Sequence, residues 1–153
     1  MPDHLNFQRP YRIPLYLLAF WNLYLRLPTT RNILYGILKQ DDVGIICITE
    51  TWFDAGTSSK IMDKTFGTEF VWYGHERMNQ ESSSGSGGIG ILIRNNLGKV
   101  KLIKVSQRFD ILWVNVVCGL DSFFISVVYF PPNDSNWDNF DENISELEKD
   151  IIM

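Results

Sequence analysis

From residue 13 to residue 25 almost every position is aliphatic or aromatic, and prolines at 14 and 28 bracket the run. This predicts a buried strand ending near Asn22. Thr29 or Thr30 then offers a helix cap, and Ile33, Leu34, Ile37 and Leu38 follow at one-face helical spacing before Gln40, Asp41 and Asp42 close the segment. Residues 43–49 are a short, mostly β-branched apolar run with two acids before it and Glu50 after it, the pattern of a strand covered on both faces. Strand, helix and strand with short connections predict a mixed α/β fold.

Residues 70–74, 89–94, 112–117 and 123–130 are β-prone runs, and the last two flank a hairpin loop at 118–122. Residues 79–88, Asn-Gln-Glu-Ser-Ser-Ser-Gly-Ser-Gly-Gly, read as a loop within the domain. The closing segment is an amphipathic helix. Trp137, Phe140, Ile144, Leu147 and Ile151 recur three and four positions apart with acids on the other faces, and Ser135 with Asp138 resembles a capping box.

Composition narrows the class. At 153 residues, 45% hydrophobic and 21% charged, one domain is the default, and a disordered tail, a collagen and a coiled coil are excluded. Cys47 and Cys118 sit inside apolar runs, as free buried thiols of a reducing compartment do. Residues 13–25 look like a signal-peptide core, but Pro14, Asn22 and the bulky aromatics argue against one, and no small-residue cleavage site follows. The run is also shorter than the about 20 apolar residues of a membrane span. The expectation is an intracellular protein, nuclear or cytoplasmic, with no membrane role. Its net charge of −4 hides an asymmetry: from residue 134 onward seven acids face one lysine, while Arg94, Lys99, Lys101, Lys104 and Arg108 gather within fifteen positions. That basic stretch is either a solvated loop or a surface for an anionic partner.

Three positions carry candidate chemistry. Glu50 directly follows a buried strand, where open α/β sheets place ligand and metal groups because the strand fixes direction while the loop leaves access. The alternative is that it merely begins a surface loop. Asn22 and Tyr129 each lie near the end of an apolar strand, and position alone leaves each as either a site residue or an edge residue.

These three places together resemble the endonuclease/exonuclease/phosphatase superfamily. Residues 42–52 (DVGIICITETW) look like that family's segment in which an apolar strand delivers a metal-binding glutamate. Residues 86–94 (SGGIGILIR) are similar to its glycine-rich approach to a core strand, and residues 126–133 (SVVYFPPN) to the strand and turn that present its active-site tyrosine. Glu-Thr-Trp, Gly-Gly-Ile-Gly and Tyr-x-Pro-Pro in that order most resemble the endonuclease domain of non-LTR (LINE-type) retrotransposons, over residues 17–153, with residues 1–16 as an N-terminal extension. The resemblance implies a DNase I-like fold, an α+β two-layer β-sandwich flanked by helices. It implies Glu50 as ligand of Mg²⁺, or of Mn²⁺ in its place, Tyr129 as a phenol hydrogen-bonding the scissile phosphate, and Asn22 as the amide positioning phosphate or water. A hard cation wants carboxylate oxygen and offsets the charge that develops on the leaving oxygen. DNA is the partner that the resemblance implies.

The departures are as informative. Leu23, Tyr24 and Leu25 follow Asn22 where the family has a polar and then a small residue. The family's Gly-Asp-x-Asn and Ser-Asp-His elements do not occur, and the histidines are His4 and His75, the latter read as a loop residue. Without them a positioned general base is missing. The chain is therefore expected to be the N-terminal part of such a domain, a fragment or decayed copy that is inactive alone, with an apolar sheet face left uncovered. The competing readings are a phosphatase or phospholipase of the same superfamily, and a non-catalytic remnant binding nucleic acid or protein.

Overall fold

The computed structural model describes residues 18–40, 43–76, 87–106, 110–129 and 137–152, and all of their side chains except those of 18–20 and 137–143. In chain order the elements are β1 (Leu18–Asn22), α1 (Pro28–Gln40), β2 (Ile45–Thr49), α2 (Ser58–Phe66), β3 (Phe70–His75), β4 (Ile89–Arg94), β5 (Lys99–Val105), β6 (Asp110–Cys118), β7 (Asp121–Tyr129) and α3 (Trp137–Ile152). The fold is mixed α/β with two sheets. Sheet A has the order β1-β2-β4-β3, and sheet B is the meander β5-β6-β7.

Alternation along the strands explains the layering. In β2 every residue is buried because both faces are covered. Ile46 and Ile48 point with Leu92 towards Leu34 and Leu38 of α1 and Met62 and Phe66 of α2, forming one core. Ile45 and Cys47 point with Ile89, Ile91 and Ile93 towards Leu112, Val114, Val116 and Val127 of sheet B, forming a second core. β6 shows the same period of two, its Leu112, Val114, Val116 and Cys118 buried inward and Trp113, Asn115 and Val117 half-buried on the outer side. Helix α3 lies on that outer side: Asp150 accepts from Trp113 Nε1 at 3.0 Å and pairs with Lys104 Nζ, which also reaches Glu146 at 3.1 Å.

The glycines of the Gly-Gly-Ile-Gly run have separate packing reasons. Trp72 lies across the paired Gly74 and Gly90, where a Cβ on Gly90 would stand 2.0 Å from its ring, and its indole N–H donates to Ser58 Oγ at 3.1 Å. Gly88 lies at φ 88° against Thr51.

The elements differ from the sequence expectation in specific places. α1 starts at Pro28, whose fixed φ suits a first helical position, so Thr29 and Thr30 lie inside the helix rather than capping it. α2 and β5 were not anticipated. Residues 99–105, within the basic stretch read as either a solvated loop or a surface for an anionic partner, form an edge strand with Lys99 and Lys101 on its exposed side. His75 ends β3 rather than lying in a loop, and Ile151, placed on the apolar stripe of α3, is 66% exposed. The apolar faces that the two sheets turn to each other are covered, and the exposed apolar side chains of sheet B are Leu102, Ile103 and Phe124, with Leu120 in the hairpin turn. The proposed extension at 1–16, most of the 79–88 loop, the Pro131-Pro132-Asn133 turn and the Ser135 cap lie outside the described residues.

Candidate metal and phosphate site

β1 and β2 run parallel with Asn22 in register with Thr49, so both strands deliver their C-terminal ends to one edge of sheet A. Thr49 is in register with Ile89 of β4, and Ile89 with His75 of β3. Asn22, Thr49, Ile89 and His75 thus form one row across the sheet. Ile89 belongs to the core between the sheets, so the row faces sheet B. Asn22 is exposed at the outer end of this row.

Tyr129 is the last residue of β7 in sheet B. At its closed end the β6–β7 hairpin is fastened by Cys118 Sγ, which donates to Leu97 O at 2.9 Å just beyond the C-terminal end of β4. At the open end of the hairpin Asp110 pairs with Tyr129. Tyr129 is half-buried there and packs on the core between the sheets. The register thus sets Asn22 beside the β2 end that carries Glu50, while Tyr129 ends β7 on the facing sheet.

Glu50 is held there by an unusual backbone. It lies at φ 54° and Trp52 at φ 59°, both in the left-handed region, on either side of Thr51, which is 1% exposed. For non-glycine residues this costs on the order of 1–3 kcal/mol each and persists only where the surroundings over-determine it. Four backbone hydrogen bonds do so here. Leu23 N–H donates to Thr49 O and Arg26 N–H to Thr51 O, each at 3.1 Å, on the β1 side. On the β4 side Thr51 N–H donates to Gly88 O at 3.2 Å and Trp52 N–H to Gly87 O at 2.8 Å. A Cβ on Gly88 would stand 2.6 Å from Thr51 Oγ1, so glycine there lets the two backbones approach. The turn after β1 is itself anchored by the Arg31 guanidinium, which donates to Leu25 O and Arg26 O at 2.8 Å.

Around this core Tyr24 meets Trp52 edge to face with ring centroids 5.8 Å apart, and Arg26 pairs with Asp54 at 3.5 Å. Glu76, next to His75, is occupied: it accepts the Ser58 N–H at 2.9 Å and so caps α2.

Glu50, Asn22 and Tyr129 offer a carboxylate, an amide oxygen and a phenol, all hard oxygen donors. Among the described residues no three carboxylate, thiol or imidazole groups come together as a metal cluster. A single carboxylate with an amide beside it does not make a closed all-protein cage, and any hard cation held there would keep most of its water.

No protein-family model matches the chain, and no curated protein matches its sequence. No helix of the described residues is long and apolar enough to cross a membrane.

The basic stretch does not act as a unit. Arg94 turns inward, donating to Leu38 O and Val43 O at 3.0–3.2 Å and lying over the Phe70 ring, and Lys104 is spent on α3. Arg108 lies outside the described residues. Sequence reasoning missed Gly87 and Gly88 as the grip on Thr51 and Trp52, and Tyr24 as the ring beside Trp52. The Gly-Gly pair was the available signal, since two consecutive glycines before a strand mark a close backbone approach.

Proposed function

We propose that this chain carries the metal- and phosphate-binding end of a Mg²⁺-dependent phosphodiester hydrolase of the endonuclease/exonuclease/phosphatase type, with DNA as substrate. The observation that carries the reading is Glu50: a carboxylate at the mouth of a strand buried on both faces, held in a strained backbone by four hydrogen bonds. Strain of this kind concentrates at functional sites. Asn22 beside the end of β2 and Tyr129 at the end of β7 supply a neutral amide and a phenol, groups that hydrogen-bond phosphate oxygens without adding charge. Two stacked sheets with helices outside them are compatible with a DNase I-like sandwich.

In this reading Glu50 holds the cation, Asn22 positions phosphate or water, and Tyr129 donates to the phosphate. A bound Mg²⁺ would supply Lewis-acid stabilisation of the leaving oxygen. The Gly-Asp-x-Asn and Ser-Asp-His elements that would supply further metal ligands and a base do not occur in these 153 residues, so cation binding, and not turnover, is the activity expected of them. The test is Mn²⁺ binding followed by loss of the free-ion electron-spin-resonance signal. The wild-type chain is expected to bind, and Glu50→Gln to bind at least tenfold more weakly. Equal binding by the two proteins overturns the metal assignment. Supercoiled plasmid should stay un-nicked above background; Mg²⁺-dependent nicking abolished by Glu50→Ala would show that the site is complete.

A further inference from the structure

Resting on the phosphodiester reading of Glu50, we infer that Tyr24 and Trp52 form a stacking subsite for the nucleobase of the nucleotide whose phosphate Glu50 and Asn22 address, so that the substrate is a nucleic-acid strand and not a polyol or lipid phosphate. Tyr24 is 40% exposed and Trp52 half-buried, and their ring planes meet at 62° rather than lying flat on each other. Flat ring surface is therefore left for a third planar group. The backbones that carry both rings are held by the same contacts that flank Glu50, and the rings meet each other edge to face. Trp52 is two residues after it and is fastened to Gly87 O, and Tyr24 lies in the turn pinned between Leu23 N–H on Thr49 O and Arg26 N–H on Thr51 O.

The rim has the chemistry of a nucleotide. Leu27, whose N–H reaches Tyr24 O, extends the apolar edge and is 49% exposed, while Arg26 between them keeps 43% of its side chain in solvent although paired with Asp54. An aromatic pair with a neighbouring guanidinium beside a carboxylate–amide end matches a base, its backbone phosphate and a hydrated cation in that order. A polyol phosphate has no flat apolar face to place there. Holding Trp52 in a left-handed backbone is a cost that simple surface exposure of an indole would not require.

The experiment compares a short single strand of oligodeoxythymidylate with a strand of equal length built from abasic tetrahydrofuran nucleotides, by calorimetric titration of the full chain in Mg²⁺. Stacking of a base on an aromatic ring is worth roughly 1–3 kcal/mol, so the wild type should prefer the base-bearing strand by about 5- to 150-fold. Tyr24→Leu and Trp52→Leu should erase the preference while leaving abasic-strand affinity within about twofold, and Tyr24→Phe should retain it, which controls for folding. Equal affinity for both strands, a preference that survives both leucine variants, or no binding of either strand overturns the subsite. So does self-association in sedimentation that Tyr24→Leu removes, which would give the patch to a second copy. Glu50→Gln separates the two claims: a base preference that persists while Mg²⁺ and Glu50 make no difference refutes the phosphodiester reading and leaves the aromatic pair as a base-binding surface.

Discussion

Glu50 and Trp52 hold conformations that side chains resist, and the resistance can be measured. Replacing Glu50 by glycine removes the steric cost of a left-handed backbone, about 1–2 kcal/mol, against about 0.5–1 kcal/mol of added chain entropy in the unfolded state. Glu50→Gly should therefore unfold in urea about 0.5–1 kcal/mol later than wild type while losing Mn²⁺ affinity. A destabilised variant would mean that the carboxylate itself holds the loop. Cys47 gives the residue-scale pH dependence. Burial pushes its thiol up to about 11 from an ordinary value near 9, and burial raises Cys118 as well. The unfolded chain then loses the Cys47 proton first as pH rises, so its contribution to stability is complete below about pH 9 and falls towards pH 11 by about 1.4 kcal/mol per pH unit, with Cys118 acting in the same direction. Urea midpoints at pH 8 and pH 10 test this, and Cys47→Ala should flatten the slope. Glu50 was legible because an acid directly after a β-branched run is a visible discontinuity. Arg94 was not: five basic residues in fifteen positions looked alike, and only the fold separates a guanidinium satisfying Leu38 O and Val43 O from lysines left in water.

Elements were legible in proportion to how little they depend on distant partners. β2 and β4 are apolar runs buried on both faces, and their sequences show it. β5 reads Lys-Val-Lys-Leu-Ile-Lys-Val, a period-two pattern that its charges masked; lysines on an edge strand oppose pairing with other chains. Its bulge between Leu102 and Lys104 breaks the alternation further. α2 is only nine residues long, and its apolar Ile61, Met62 and Phe66 become a stripe only against β3 and α1. Among the described side chains, a polar knot ties α3 to sheet B. Asp150 is almost fully enclosed, accepting from both Trp113 and Lys104, and each bond to a charged group is worth about 1.5–3 kcal/mol. Asp150→Ala should loosen α3 by about 2 kcal/mol, which early cleavage within 137–152 under limited proteolysis and a red shift of tryptophan emission would reveal. Unchanged protection would place the helix's hold in Ile144 and Leu147 instead.

At the scale of the molecule, the mixed α/β class followed from the order of periodicities, whereas the pairing of strands into two sheets did not, because register between distant segments leaves no mark in a single sequence. The two cores share β2 and β4, each contributing one face to the helices and the other to sheet B. Loss of either core strips a face from the same strands, so thermal unfolding followed by near-ultraviolet and far-ultraviolet circular dichroism should give one coincident transition. Two separated transitions would show that sheet B stands without sheet A. The same topology also sets an order of assembly. The β5-β6-β7 meander joins neighbours in sequence, while sheet A must bring β2 to β4 across α2, β3 and the segment that follows. Loop-closure entropy makes closing that long loop the expected slow step, and the contacts of Gly87 and Gly88 with Thr51 and Trp52 form only when it closes. The meander can be native while Glu50 is still unplaced, so in a refolding experiment cation binding should lag behind the appearance of sheet B.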